Sequence, residues 1–124
     1  EIVNCNEKIK KVTGEAPKTL RAPSGDYDNK SIEITESLDM KMIQWDVDSL
    51  DWKDLSAKDI SLRVISKVKN GSIILCHNNG KHTAESLPLI FADLTAKGYK
   101  FVKISELIYK DNYVMMNDGT QIKQ

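Results

Sequence analysis

The stretch Gly71-Ser72-Ile73-Ile74-Leu75-Cys76-His77 constrains the fold most tightly. Its apolar residues stand in an unbroken row, bounded by Gly71 before and Asn78-Asn79-Gly80 after. This pattern predicts a short strand buried on both faces, which suits a parallel sheet covered by helices. The strand closes on a histidine. In alternating strand–helix architectures chemistry collects at the carboxyl ends of the strands, so His77 is the first candidate site residue. The competing reading is a histidine that leaves a core strand and hydrogen-bonds nearby backbone.

The rest of the chain repeats this alternation. Ile2, Cys5, Ile9 and Val12 lie at helical spacing, and Gly14 and Pro17 stop that helix. Thr19-Leu20-Arg21 reads as a strand end, and Pro23, Gly25 and Asp26 as a turn. Residues 29–38 read as a helix capped by Asp28, with Ile32 and Leu38 inward. Met40 to Val47 reads as one strand, followed by an Asp-rich loop to Leu55. Ser56 and Asp59 suggest a capping box for a helix to about Lys69, with Ile60, Val64 and Val68 on its buried face. Thr83 is the expected cap of a helix that ends at Gly98 and buries Leu87, Ile90, Phe91 and Leu94. Pro88 fits only near that helix's start, so its first turn should be irregular. Tyr99 to Val102 reads as a strand, and Ser105 as the cap of a short helix through Tyr109. Asp118-Gly119 between two apolar runs signals a hairpin over 113–122.

A run of such units predicts an α/β fold with about four parallel strands and right-handed crossovers. Four strands make either an open sheet or half of a closed barrel, which would need about eight. At 124 residues the chain is one domain by size. Eighteen Lys and Arg balance eighteen Asp and Glu, so charge offers no case for nucleic acid as a partner. No apolar stretch approaches the roughly 20 residues of a membrane span, and no signal-peptide pattern is read. Cys5 and Cys76 match no metal or redox spacing, and Cys76 reads as a small hydrophobe in the buried strand.

Polar residues of catalytic types stand at consecutive strand ends: Arg21 first, then Asp48 and Asp51, then His77. In a parallel sheet these ends lie side by side, so Arg21, one of the two aspartates and His77 could converge. A carboxylate beside a histidine fixes its tautomer and makes a better general acid, and an arginine can hold a second carboxylate bidentately. Taken singly, Arg21 could be a surface ion pair, Asp48 and Asp51 turn formers, and Trp45 and Trp52 core.

Arg21-Ala22-Pro23-Ser24-Gly25, Asp48-Ser49-Leu50-Asp51-Trp52 and Leu75-Cys76-His77 resemble, in order, three motifs of the polysaccharide deacetylases. These are R-x-P-[YFW]-G, D-x-x-D-W and L-x-H of the nodulation-type deacetylase domain, carbohydrate esterase family four. Gly98-Tyr99-Lys100-Phe101-Val102 resembles the family's ending, and Lys69 to Leu75 and Gly80 to Thr83 resemble its spore-forming bacterial members. The likeness covers roughly residues 8–109. It implies the carboxyl-terminal half of a distorted (β/α) barrel over 1–109, with 110–124 as a tail. It also implies removal of acetyl from N-acetylated sugars of a polysaccharide such as peptidoglycan or a chitin-like glycan. By resemblance His77 would be the general acid, Asp51 would pair with it, and Arg21 would hold the catalytic-base aspartate. Trp45 and Leu75 would line the acetyl pocket. Pro23 and Ser24 would form a groove wall, where Ser24 replaces the usual aromatic.

The family's T-F-D-D-G and H-[ST]-x-x-H motifs, which supply the base and the metal ligands, are not among these residues. The only histidines are His77 and His82, and no Asp-Asp pair occurs. The resemblance therefore implies a divalent metal, zinc by family habit, held by a missing amino-terminal half and not by this chain. The expected partners are that half, or a second copy of the chain, together with the glycan. The expected location is extracytoplasmic or at the cell envelope. The alternatives are a non-catalytic glycan-binding half-barrel and an unrelated open α/β ligand-binding domain.

Overall fold

A computed structural model describes residues 1–124. Two compact units divide the chain: residues 1–44 with 110–122 and 124, and residues 45–109 with 123.

The first unit opens with α1 (Ile2–Thr13), which ends where Gly14 adopts φ 86° and donates its N–H to Lys10 O at 2.8 Å. None of its residues is buried, and Val12 is 86% exposed. Next, β1 (Thr19–Arg21) pairs in parallel with β2 (Lys41–Ile43), with Leu20 opposite Met42. The crossover is α2 (Asn29–Ser37). Asp28 caps it reciprocally, its Oδ1 accepting from Ser31 N and its own N–H donating to Ser31 Oγ. Ala22, Met40, Met42 and Thr35 are buried here. A hairpin of β5 (Tyr113–Met115) and β6 (Gln121–Lys123) completes the unit. Gly119 turns it at φ 85° with its N–H on Met116 O, and Asp118 Oδ1 accepts from Thr120 N. Tyr27 Oη anchors the hairpin through Asn117 O at 3.1 Å.

In the second unit, β3 (Val47–Asp48) pairs in parallel with β4 (Ile74–Leu75). Two helices, α3 (Ala57–Ile65) and α4 (Thr83–Ala96), pack together over them, and α5 (Ile104–Leu107) follows. Val47, Ile60, Val64, Ile90 and Leu94 form the core. Burying each is worth roughly 1.5–3 kcal/mol. An open apolar cleft of about 590 Å³ lies between Val68–Cys76, one face of α4 and Tyr99–Leu107.

The molecule is thus α/β, with two two-stranded parallel sheets and a hairpin. Several expected elements differ. The strand expected over Met40–Val47 is two strands, β2 and β3. Consecutive N–H groups of Asp46 and Val47 both point at Ile73 O, and the Asp46 carboxylate binds Ser72 Oγ and Ile73 N. Two residues facing one partner is a bulge, which interrupts a ladder. The strand ending at His77 shrinks to Ile74–Leu75 and is only half-buried, and Cys76 is exposed. One edge of β4 pairs with β3, and no strand pairs with the other.

No strand forms at Tyr99–Val102. Tyr99 instead extends the end of α4, its N–H on Leu94 O and its hydroxyl on Val68 O. The helix expected to reach Lys69 stops at Ile65, although Lys67 and Val68 still donate to Val64 O. At its start Ser56 Oγ accepts from Asp59 N, but Asp59 returns to the hydroxyl rather than to the backbone N–H. One methylene shorter than Glu, it falls short of a full capping box. His82, not Thr83, occupies the cap position of α4, and Lys103, not Ser105, that of α5. Pro88 lies inside α4 rather than in its first turn, and Phe91 is 46% exposed.

Candidate functional site

The turn after β3 carries Asp51 inward. Asp48 Oδ1 accepts from Leu50 N at 2.9 Å, and Arg63 Nε donates to Asp48 O at 2.9 Å, bracing the turn on α3. Leu50 and Asp54 sit at φ 53° and 57°, bracketing a single 3₁₀ turn over Asp51–Lys53. Left-handed backbone at a non-glycine costs roughly 1 kcal/mol each, so the surrounding contacts must hold it. Asp48 spends its carboxylate on its own turn. Of the two candidate aspartates, it is Asp51 that reaches His77.

Asp51 is 1% exposed. Its Oδ1 lies 2.7 Å from His77 Nδ1, and its Oδ2 accepts from His77 N at 2.8 Å. The Thr83 hydroxyl donates to the same Oδ2 at 2.7 Å. Buried Ser49 closes the ring, its Oγ accepting from Asp51 N at 3.3 Å while its N–H ties to Leu75 O. Burial pushes the Asp51 carboxyl up, but the His77 N–H, the Thr83 hydroxyl, the His77 ring and Ser49 outweigh it and lower it to about 2.

A carboxylate held ionised has no proton to give. Nδ1 of His77 must therefore carry the hydrogen, which leaves Nε2 as the working nitrogen. The His77 side chain is 34% exposed, so the ring is accessible. With Nε2 protonated it is a general acid, and without that proton a general base. Gly80 is part of the same construction. A Cβ there would collide with Thr83 Oγ1 and lie 3.2 Å from Asp51 Oδ2.

The structure brings together Asp51 and His77, with Leu75 half-buried one residue before Cys76 and Trp45 half-buried at the start of the same unit. Arg21, Pro23 and Ser24 belong to the other unit. Arg21 ends β1 opposite Ile43 and is exposed. Pro23 and Ser24 form an exposed 3₁₀ turn with Ser24 at φ 57°. Ser49, Gly80 and Thr83 are the residues that sequence reasoning missed. Thr83 carried a signal, because a hydroxyl at the start of a helical run reads as a cap, yet its oxygen is spent on Asp51. Ser49 was legible only as a hydroxyl two residues before an aspartate.

A metal does not fit the donors present. No cluster of three His, Cys, Asp or Glu side chains could hold one. His82 Nδ1 lies 3.0 Å from Glu85 Oε2, and His77 is engaged by Asp51. No helix is long and apolar enough to cross a membrane.

The polysaccharide deacetylase family model matches residues 1–43. The peptidoglycan-N-acetylglucosamine deacetylase PgdA of Listeria monocytogenes is 36% identical over 86% of this chain and 22% of its own length. The crystal structure of the peptidoglycan N-acetylglucosamine deacetylase Bc1960, in complex with a hydroxamate, superposes with a TM-score of 0.82 at 30% identity. That match covers 86% of this chain and 51% of Bc1960. BA3943, a carbohydrate esterase family four pseudoenzyme from Bacillus anthracis, superposes at 0.78 with 31% identity, over 82% of this chain and 36% of its own. The chain spans between a fifth and about a third of the curated relatives it matches first, 22% to 34%. By these likenesses the chain matches part of a polysaccharide deacetylase domain.

Proposed function

We propose that this chain forms part of a hydrolase that removes acetyl groups from N-acetylated sugars of a polysaccharide, peptidoglycan being the first candidate. The observation that carries the reading is the Asp51–His77 pair, a solvent-accessible imidazole oriented by a buried carboxylate. In the cleavage, water adds to the acetyl carbon, the C–N bond breaks, and acetate and a free amine leave. His77 would give its Nε2 proton to the departing nitrogen. Asp51 would stabilise the imidazolium that donates it. Arg21 would hold a catalytic-base aspartate from outside this chain, and Trp45, Leu75, Pro23 and Ser24 would shape the sugar and acetyl subsites. The divalent metal, zinc by family resemblance, would be held by ligands outside these residues and would polarise the acetyl carbonyl.

The remainder of a (β/α) barrel domain is the proposed partner, with a second copy of the chain as the alternative. The free edge of β4 and the open apolar cleft support this. A cell-envelope location follows from the glycan. A non-catalytic glycan-binding role is the second reading, favoured by the likeness to a pseudoenzyme.

The test is acetate release from an N-acetylated glycan by the chain joined to the rest of its domain. His77→Ala is expected to lower kcat by on the order of 10²–10⁴ with glycan affinity retained. Unchanged turnover in the variant would overturn the catalytic reading. Glycan binding without any turnover in either protein would establish the second.

A further inference from the structure

We infer that Thr83 is a positioning residue: its hydroxyl, donated to Asp51 Oδ2 across the space that Gly80 leaves open, aims Asp51 and through it the His77 ring. The inference deepens the proposed function and rests on it for its catalytic meaning, but its geometry stands independently. Asp51 has two oxygens in a buried place and a definite share of donors for each. Oδ1 takes the His77 ring nitrogen. Oδ2 takes the His77 N–H and the Thr83 hydroxyl. Without the hydroxyl, Oδ2 keeps one backbone donor, and the carboxylate can turn about its own axis toward other partners. The ring would then lose the fixed acceptor that holds the hydrogen on Nδ1.

The position of Thr83 favours this reading over a packing role. It is the first residue of α4 and His82 holds the cap position, so the Thr83 side chain is not needed to cap the helix. Gly80 is equally bound to the contact, since a Cβ there would occupy the place of the Thr83 hydroxyl. The missing Cβ at 80 and the hydroxyl at 83 are two halves of one fit.

Thr83→Val keeps the shape and removes the donor; Thr83→Ser keeps the donor and removes a methyl. ¹⁵N NMR of the His77 ring in the full chain, at mildly alkaline pH, reads the tautomer directly. The wild type and Thr83→Ser are expected to show one tautomer with the hydrogen on Nδ1, and Thr83→Val a mixture. In the joined domain Thr83→Val should lower kcat by roughly tenfold at unchanged KM, and Thr83→Ser should restore it. A packing role gives the opposite order, with Val tolerated and Ser impaired, and would overturn the inference. So would an unchanged tautomer in Thr83→Val. Thr83→Ala, which also removes the donor and adds no bulk beside Asp51, decides the matter by the same tautomer measurement if Thr83→Val does not fold. Should His77→Ala prove harmless to turnover, the proposed function fails, yet the tautomer measurement still decides the part played by Thr83.

Discussion

Asp51 is an acid buried at 1% exposure that remains ionised because donors surround it. Its carboxyl is lowered from 3.8 to about 2, so the folded state holds that proton less tightly than the unfolded chain. The resulting stabilisation is present above about pH 4 and is lost as pH falls through about 2, with a magnitude of roughly 2 kcal/mol. Urea unfolding of the wild type and Asp51→Asn across that range should show it. The gap between the two proteins is expected to be widest near neutral pH and to narrow on acidification. A gap independent of pH would show that the carboxylate charge contributes nothing. Exposed pairs such as Lys81–Asp54 should matter far less, because both side chains sit in solvent.

At the scale of elements, α4 contains the clearest local conflict. Pro88 lies within it, lacks the N–H that would bond Ala84 O, and is exposed. Ser86, Ile90 and Leu94 are buried against the unit's core and hold the helix across the break. Packing here outweighs a propensity penalty of up to about 3 kcal/mol. Pro88→Ala is therefore expected to raise thermal stability by roughly 1–3 kcal/mol, read as a higher Tm. A lower Tm would mean that the proline ring itself supports the helix.

For the molecule as a whole, the open cleft is the unfinished part. Phe91 and Phe101 meet edge to face at 4.7 Å on its wall, yet they are 46% and 47% exposed. Val102 beside them is 50% exposed. Apolar surface of this kind favours association. Sedimentation of the chain alone is expected to show self-association at micromolar concentration, relieved by Phe101→Lys. A monodisperse wild-type chain that is unaffected by the substitution would contradict a docking role for the cleft.

What could be read from residue order is local. Helical spacing placed α1, the cap at Asp28 started α2, and Asp118-Gly119 set the hairpin, because each depends on neighbours within a few residues. The motifs also named Asp51 and His77, since residue types at strand ends are visible without coordinates. Non-local contacts were decided elsewhere. Whether Tyr99–Val102 becomes a strand depends on a pairing partner, and its own letters cannot supply one. The split at Gln44–Asp46 follows from Asp46 reaching Ser72 and Ile73, twenty-six and twenty-seven positions away. Thr83 looked like a helix cap until the turn after β3 carried Asp51 against it, thirty-two residues distant in the chain. Tertiary packing turned a strand-end histidine and a turn aspartate into one oriented pair. It did so by burying the carboxylate where only hydrogen-bond donors, and not water, could compensate its charge.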